Sequence, residues 1–177
     1  MDIVQHYLEF YREEGEEAFL ERFAHPFLLY PEKYGKGGFS AYHTRMVSRP
    51  GGSGGIAGVG KNILQFRVLP PNPRLGTSYP RKMIVGRSEE REFCVEHSTV
   101  SKRHAVIIYE AEQGSYRLGD AGSTNGTFLN GQPVEAGSPV YIKDGSVVSF
   151  GDCDFLFFSP HGFMELLKRL DEAQPAE

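Results

Sequence analysis

Cysteine is almost missing from this sequence: Cys94 and Cys153 are the two in 177 residues, both in apolar stretches and too few for a disulfide framework. A basic excess is missing too, with 19 Lys and Arg against 23 Asp and Glu and a net charge of -4, so no broad positive field invites a nucleic-acid backbone. No apolar run approaches the roughly 18 residues that a membrane span needs. The opening MDIVQHYLEFYREEGEE lacks the basic start and apolar stretch of a secretory signal, and there is no internal repeat. These absences set the expectation of a reduced, cytoplasmic protein whose partners are neither nucleic acid nor membrane.

What is present is enough apolar residue, 40% of the chain, for one good core with appended elements. Ile3, Val4, Tyr7, Leu8 and Tyr11, then after Gly15 Phe19, Leu20 and Phe23, recur at helical spacing among acidic residues. They predict one or two short amphipathic helices. From His25 to Gly60 the pattern dissolves into Pro, Gly and Tyr and ends in RPGGSGGIAGVG, which reads as a linker.

From Ile63 onward, short runs rich in Val, Ile, Phe and Tyr alternate with Gly, Asp, Asn and Pro, the texture of a β-sandwich. The candidate strands are ILQFRVL, KMIVGR, EFCVE, HAVIIYE, SYRLGD, TFLN, VYIKD, SVVSFG and DFLFFS. The tail PHGFMELLKRLDEA regains helical spacing at Phe163, Leu166, Leu167 and Leu170. The expected class is therefore all-β, a sandwich over residues 61–159. A helical extension with linker precedes it at 1–60, and a helix follows at 160–177.

Several chemistries fail on context. Gly55 to Lys61, GIAGVGK, fits seven positions of a phosphate-binding P-loop, but Asn62 stands where a hydroxyl should hold magnesium, and a strand-like segment follows where a helix should open. Ser101, His104 and Asp120 suggest a nucleophile, base and orienter, yet no Gly-x-Ser-x-Gly elbow surrounds the serine. Cys94 and His97 have a zinc-like spacing without a second ligand pair. The expectation is a protein that is no enzyme and holds no metal or cofactor.

Three pieces of the sandwich region belong together: Gly86-Arg87, Ser101-Lys102-Arg103-His104, and Asn125-Gly126-Thr127 within GDAGSTNGTFLNG. In that order and at those separations they resemble the forkhead-associated (FHA) domain, and VYIKDGSVVSFG is similar to that family's penultimate hairpin. The resemblance covers about Ile63 to Ser159. It implies an FHA-type β-sandwich that binds a threonine-phosphorylated peptide or protein, an adaptor in Ser/Thr-kinase-dependent interactions. The alternative is the same fold serving assembly, docking partners through its terminal helices without phosphate.

The residue chemistry fits the first reading. A phosphothreonine carries about -1.5 to -2 charge and three strong acceptor oxygens. An arginine fork matches that geometry, which makes Arg87 the first phosphate ligand. At Ser101 the hydroxyl and the backbone amide are both expected to donate to an oxygen, and Lys102 adds a mobile cation. Successive residues of a strand point to opposite faces, so only one of Lys102 and Arg103 is expected to face the ligand; the resemblance favours Lys102. It further implies that Thr124 walls the threonine pocket and that Asn125 clasps peptide backbone. Gly86, His104 and Gly126 are expected to support the site, the histidine by holding the recognition loops together. Thr44, with Val47 three positions on, is an expected phosphorylation site whose segment would occupy the protein's own rim.

Overall fold

In the computed structural model, residues 2–31, 60–76 and 78–173 are described. The first amphipathic segment forms α1 (Val4–Arg22), which Gly15 divides by its extended, positive-φ backbone (φ 85, ψ -179). Val4, Tyr7, Leu8 and Phe19 form its buried face, so the two helical pieces expected on either side of Gly15 are present as one kinked element.

Eleven strands follow in chain order among the described residues: β1 (Phe27–Tyr30), β2 (Arg67–Val68), β3 (Lys82–Gly86), β4 (Phe93–Cys94), β5 (Ala105–Glu110), β6 (Ser115–Asp120), β7 (Thr127–Leu129), β8 (Gln132–Val134), β9 (Val140–Ile142), β10 (Val147–Phe150) and β11 (Cys153–Phe158). They form two sheets, ordered β2-β1-β11-β10-β7-β8 and β4-β3-β5-β6-β9. A second helix, α2 (Pro160–Ala173), closes the chain. Ser159 opens it: the Gly162 amide donates to the Ser159 hydroxyl at 3.0 Å, and Pro160 occupies the first helical position, where no N–H is needed.

The first sheet is the middle of three layers, and its residues alternate between two cores. Leu28, Phe155 and Phe157 face the second sheet among Val85, Phe93, Ile107 and Leu118. Phe27, Leu29, Leu156 and Phe158 face the helices among Tyr7, Phe19, Phe163 and Leu167. Phe27 and Phe163 stack with ring centroids 4.1 Å apart. Ion pairs Arg12–Asp171 (2.6 Å) and Lys168–Glu16 (3.1 Å) close the seam between α1 and α2.

Three sequence expectations change. The class is a β-sandwich with a helical layer, so "all-β" overstates it. Phe27–Tyr30, inside the stretch read as linker, is a strand of the first sheet between β2 and β11, with Phe27 opposite Phe158 and Leu29 opposite Leu156. ILQFRVL, expected as a strand, instead makes a 3-10 turn over Gly60–Gln65 and only a two-residue β2. The reason is visible in its burial: Ile63 and Phe66, three apart, both enter the helical core, and the Val4 amide caps the Phe66 carbonyl at 2.9 Å. The strand β8 was not among the expected strands; it contains Pro133, which an edge strand tolerates. Thr44 and most of the P-loop-like glycines lie outside the described residues.

This architecture gathers the expected site. Gly86 ends β3, Ala105 starts β5 and Asp120 ends β6, while Thr127 starts β7, Phe150 ends β10 and Cys153 starts β11. Registers Val85–Ala105, Ala105–Asp120, Phe150–Thr127 and Phe150–Cys153 put all six ends at one pole of the sandwich.

Candidate functional site

The loops at that pole are bonded to one another. The Arg87 amide donates to the Ser101 carbonyl at 2.9 Å, the Thr124 amide donates to the Ser101 hydroxyl oxygen at 3.1 Å, and Asn125 Nδ2 donates to the Thr99 carbonyl at 2.8 Å. Arg87, Lys102, Thr124 and Asn125 are exposed at this rim, and Ser101 is half-buried. The five residues expected to bind the ligand therefore belong to one connected set of loops.

Gly86 explains how the first two loops come so close. A Cβ there would run into the Lys102 carbonyl oxygen and carbon, so only glycine lets the end of β3 pass beneath the Ser101-Lys102 backbone. Gly126 meets a different demand, a φ of 88 at the turn that leads into β7, where a side chain is strained.

His104 fastens the second and third loops. It is fully buried; its Nδ1 accepts the Ser101 amide at 3.0 Å, which leaves Nε2 as the protonated nitrogen, donating to the Gly126 carbonyl at 2.9 Å. Burial pushes its pKa below the ordinary histidine value, against the Gly126 carbonyl and the Asp120 carboxylate, which favour the charged form. The neutral ring is thus the one the fold holds.

This arrangement corrects one expectation for Ser101. Its amide is committed to His104, so it has no backbone donor for a ligand, but its hydroxyl oxygen accepts from Thr124 and keeps its hydrogen to give outward. The same bonds remove the serine triad, because both nitrogens of His104 are spent elsewhere. The choice between Lys102 and Arg103 also changes: both lie in a bend before β5 begins, both are exposed, and strand alternation does not apply to them.

Three supporting residues had no such role assigned from the sequence. Asp120 receives the Gly122 and Ser123 amides and the Ser123 and Thr127 hydroxyls. Burial alone would raise its pKa, yet these four bonds outweigh it and hold the carboxyl below the usual value. An Asp heading a Gly-Ser-Thr-Asn-Gly loop is a known turn signal that could have marked it. Thr99 takes the Asp152 amide on its hydroxyl at 3.0 Å and passes that hydroxyl's hydrogen to His97 Nδ1 at 2.9 Å. Asn72 clamps the loop after β3, donating from Nδ2 to the Glu89 and Arg91 carbonyls. Cys94 and His97 have no further ligand nearby: among the described residues no cluster of three or more His, Cys, Asp or Glu could hold a metal.

Residues 83–151 match the family model of the FHA domain. The chain contains an FHA domain. The matched stretch holds Gly86, Arg87, Ser101, Lys102, His104, Thr124, Asn125 and Gly126. Among curated relatives, an ABC transporter ATP-binding/permease protein of Mycobacterium tuberculosis is 28% identical over 60% of this chain and 12% of its own length. Human kanadaptin is 37% identical over 46% of this chain and 12% of its own. The glycogen accumulation regulator GarA of Mycolicibacterium smegmatis is 31% identical over 42% of this chain and 44% of its own. The chain thus spans less than half the length of each of these relatives. A solved structure of the second FHA domain of the mycobacterial ABC transporter covers 47% of this chain and 72% of that one, at 29% identity and a TM-score of 0.41.

Proposed function

We propose that this FHA domain binds threonine-phosphorylated peptides and acts as an adaptor in Ser/Thr-kinase-dependent protein association. The observation that carries the reading is the join between Arg87 and Ser101: a backbone bond of 2.9 Å ties the guanidinium-bearing residue to the residue whose hydroxyl keeps a free hydrogen. Arg87 makes no ion pair among the described residues, so its fork is available to a dianion. Ser101 Oγ donates to a phosphate oxygen, Lys102 adds charge, Thr124 walls the threonine methyl, and Asn125 holds peptide backbone with its Oδ1 and second Nδ2 hydrogen. Gly86, His104 and Gly126 fix the loops from behind. The two free thiols, Cys94 and Cys153, fit action in the reducing cytoplasm.

Hydrogen bonds to a charged group contribute about 1.5 to 3 kcal/mol each, so three or four yield micromolar affinity after ordering costs. The test is calorimetric titration with a degenerate phosphothreonine peptide library and matched unphosphorylated and phosphoserine controls. Arg87→Ala is expected to weaken binding by about 2 to 4 kcal/mol without lowering the melting temperature. Equal binding of phosphorylated and unphosphorylated peptides overturns the reading.

The segment around Thr44 is a candidate ligand in cis for this same rim. Phosphorylation of Thr44 is expected to lower affinity for an external phosphopeptide, and unchanged affinity refutes it. Phosphate-independent docking through the helices gains no support, since the apolar faces of α1 and α2 are spent on the core.

A further inference from the structure

No sequence motif marks Arg91, yet it is the most firmly positioned cation beside the rim. Its amide donates to the Ser88 carbonyl at 3.0 Å, closing a turn that starts directly after Arg87. Its carbonyl accepts from Asn72 Nδ2, and its neighbour Glu92 is held twice, the carbonyl by the Asn72 amide at 2.8 Å and the carboxylate by the Ile84 amide at 2.6 Å. Arg91 Nε donates to the Lys102 carbonyl at 3.1 Å, which fixes the plane of the guanidinium one residue from Ser101. Its terminal nitrogens have neither a hydrogen-bond acceptor nor a carboxylate partner among the described residues, although Glu89 and Glu90 stand in the same loop. A half-buried arginine held by Nε alone, with a free terminal edge, presents two parallel donors at low entropic cost.

We propose that Arg91 is a second anion contact of the recognition rim and selects ligands carrying an acidic group beside the phosphothreonine. The inference rests on the phosphothreonine reading and extends it. The shared chemistry is a flanking anion; its sources are an Asp or Glu side chain or a second phosphate. Lys102 and Arg103, exposed on the adjacent bend, reinforce the field without fixing its direction, which makes Arg91 the residue that sets the position read.

The test is calorimetric titration of the full chain with an alanine-background phosphothreonine peptide. Further arms carry Glu at each flanking position in turn, or a second phosphorylated residue at the position that Glu favours. The wild type is expected to favour at least one acidic-flanked peptide by about fivefold to tenfold, with a larger gain for the second phosphate if that is the natural source. Arg91→Gln is expected to erase this preference and leave the neutral-flanked peptide within about twofold, and Arg91→Lys to keep part of it. No preference in the wild type, a preference that survives Arg91→Gln, or an equal loss for neutral and acidic peptides overturns the inference while leaving the phosphothreonine reading standing. Failure of every phosphothreonine peptide to bind the wild type overturns both.

Discussion

At the scale of single residues, the recognition pole depends on contacts that admit no substitute. Gly86 is the sharpest case, because a methyl group there overlaps the Lys102 carbonyl, which is backbone and cannot swing aside. Gly86→Ala is expected to cost about 1 to 3 kcal/mol in urea unfolding. It should weaken phosphopeptide binding more than tenfold, because the displaced backbone carries both Ser101 and the acceptor of Arg91. His104 supplies a pH dependence whose sign follows from its bonds. Its folded pKa lies below the unfolded value of about 6.5, so the unfolded state binds the extra proton first. Its contribution is full above that pH and declines as pH falls through it. Unfolding free energies of the peptide-free protein are expected to drop from pH 7.5 to 5.5 by less in His104→Gln than in the wild type. His25 acts with the same sign, because burial lowers its pKa. Arg87, Ser101 and Asn125 were legible because short motifs carry them. Thr99 and Asn72 were not, because they bond amides and carbonyls 17 to 53 positions away, a relation that no local pattern displays.

At the scale of elements, legibility depended on which faces a strand buries. β5 shows alternation, with Ala105 and Ile107 buried and Val106 and Ile108 half-exposed, and is legible in the sequence for that reason. The Asn130-Gly131 pair, both with positive φ, makes the two-residue turn between β7 and β8 that the dipeptide announces. By contrast, β1 is buried on both faces and reads as an unbroken apolar run of four residues between two prolines, too short to separate from a loop or a helix end. Its importance is correspondingly easy to test. Leu28 is fully buried between the sheets, and Leu28→Ala is expected to destabilise the domain by about 2 to 5 kcal/mol in chemical denaturation. A change under 1 kcal/mol would mean that β1 is peripheral.

At the scale of the whole molecule, the three layers make the terminal helices part of the same folded body as the pole that gathers Arg87 and Ser101. Phe27, Phe158 and Phe163 belong to one apolar cluster with Tyr7 and Phe19, so sheet and helices share side chains instead of meeting at a polar seam. Removing residues 1–60 to test the helices as docking elements would also strip β1 from beside β11. Such a truncation reports on folding before it reports on partners, and substitutions on the exposed acidic face of α1 are the cleaner probe.

The pairing of β1 with β2, Tyr30 opposite Arg67 and Leu29 opposite Val68, has a topological corollary. Tyr30 and Arg67 share one rung of that ladder, so both stumps of a chain severed between them would stay clasped by the same sheet. A protease site engineered between residues 31 and 60 is expected to give two pieces that co-elute as a native-sized particle and part company only in denaturant. Early separation of the pieces would show that the ladder is too weak to hold them without the covalent link.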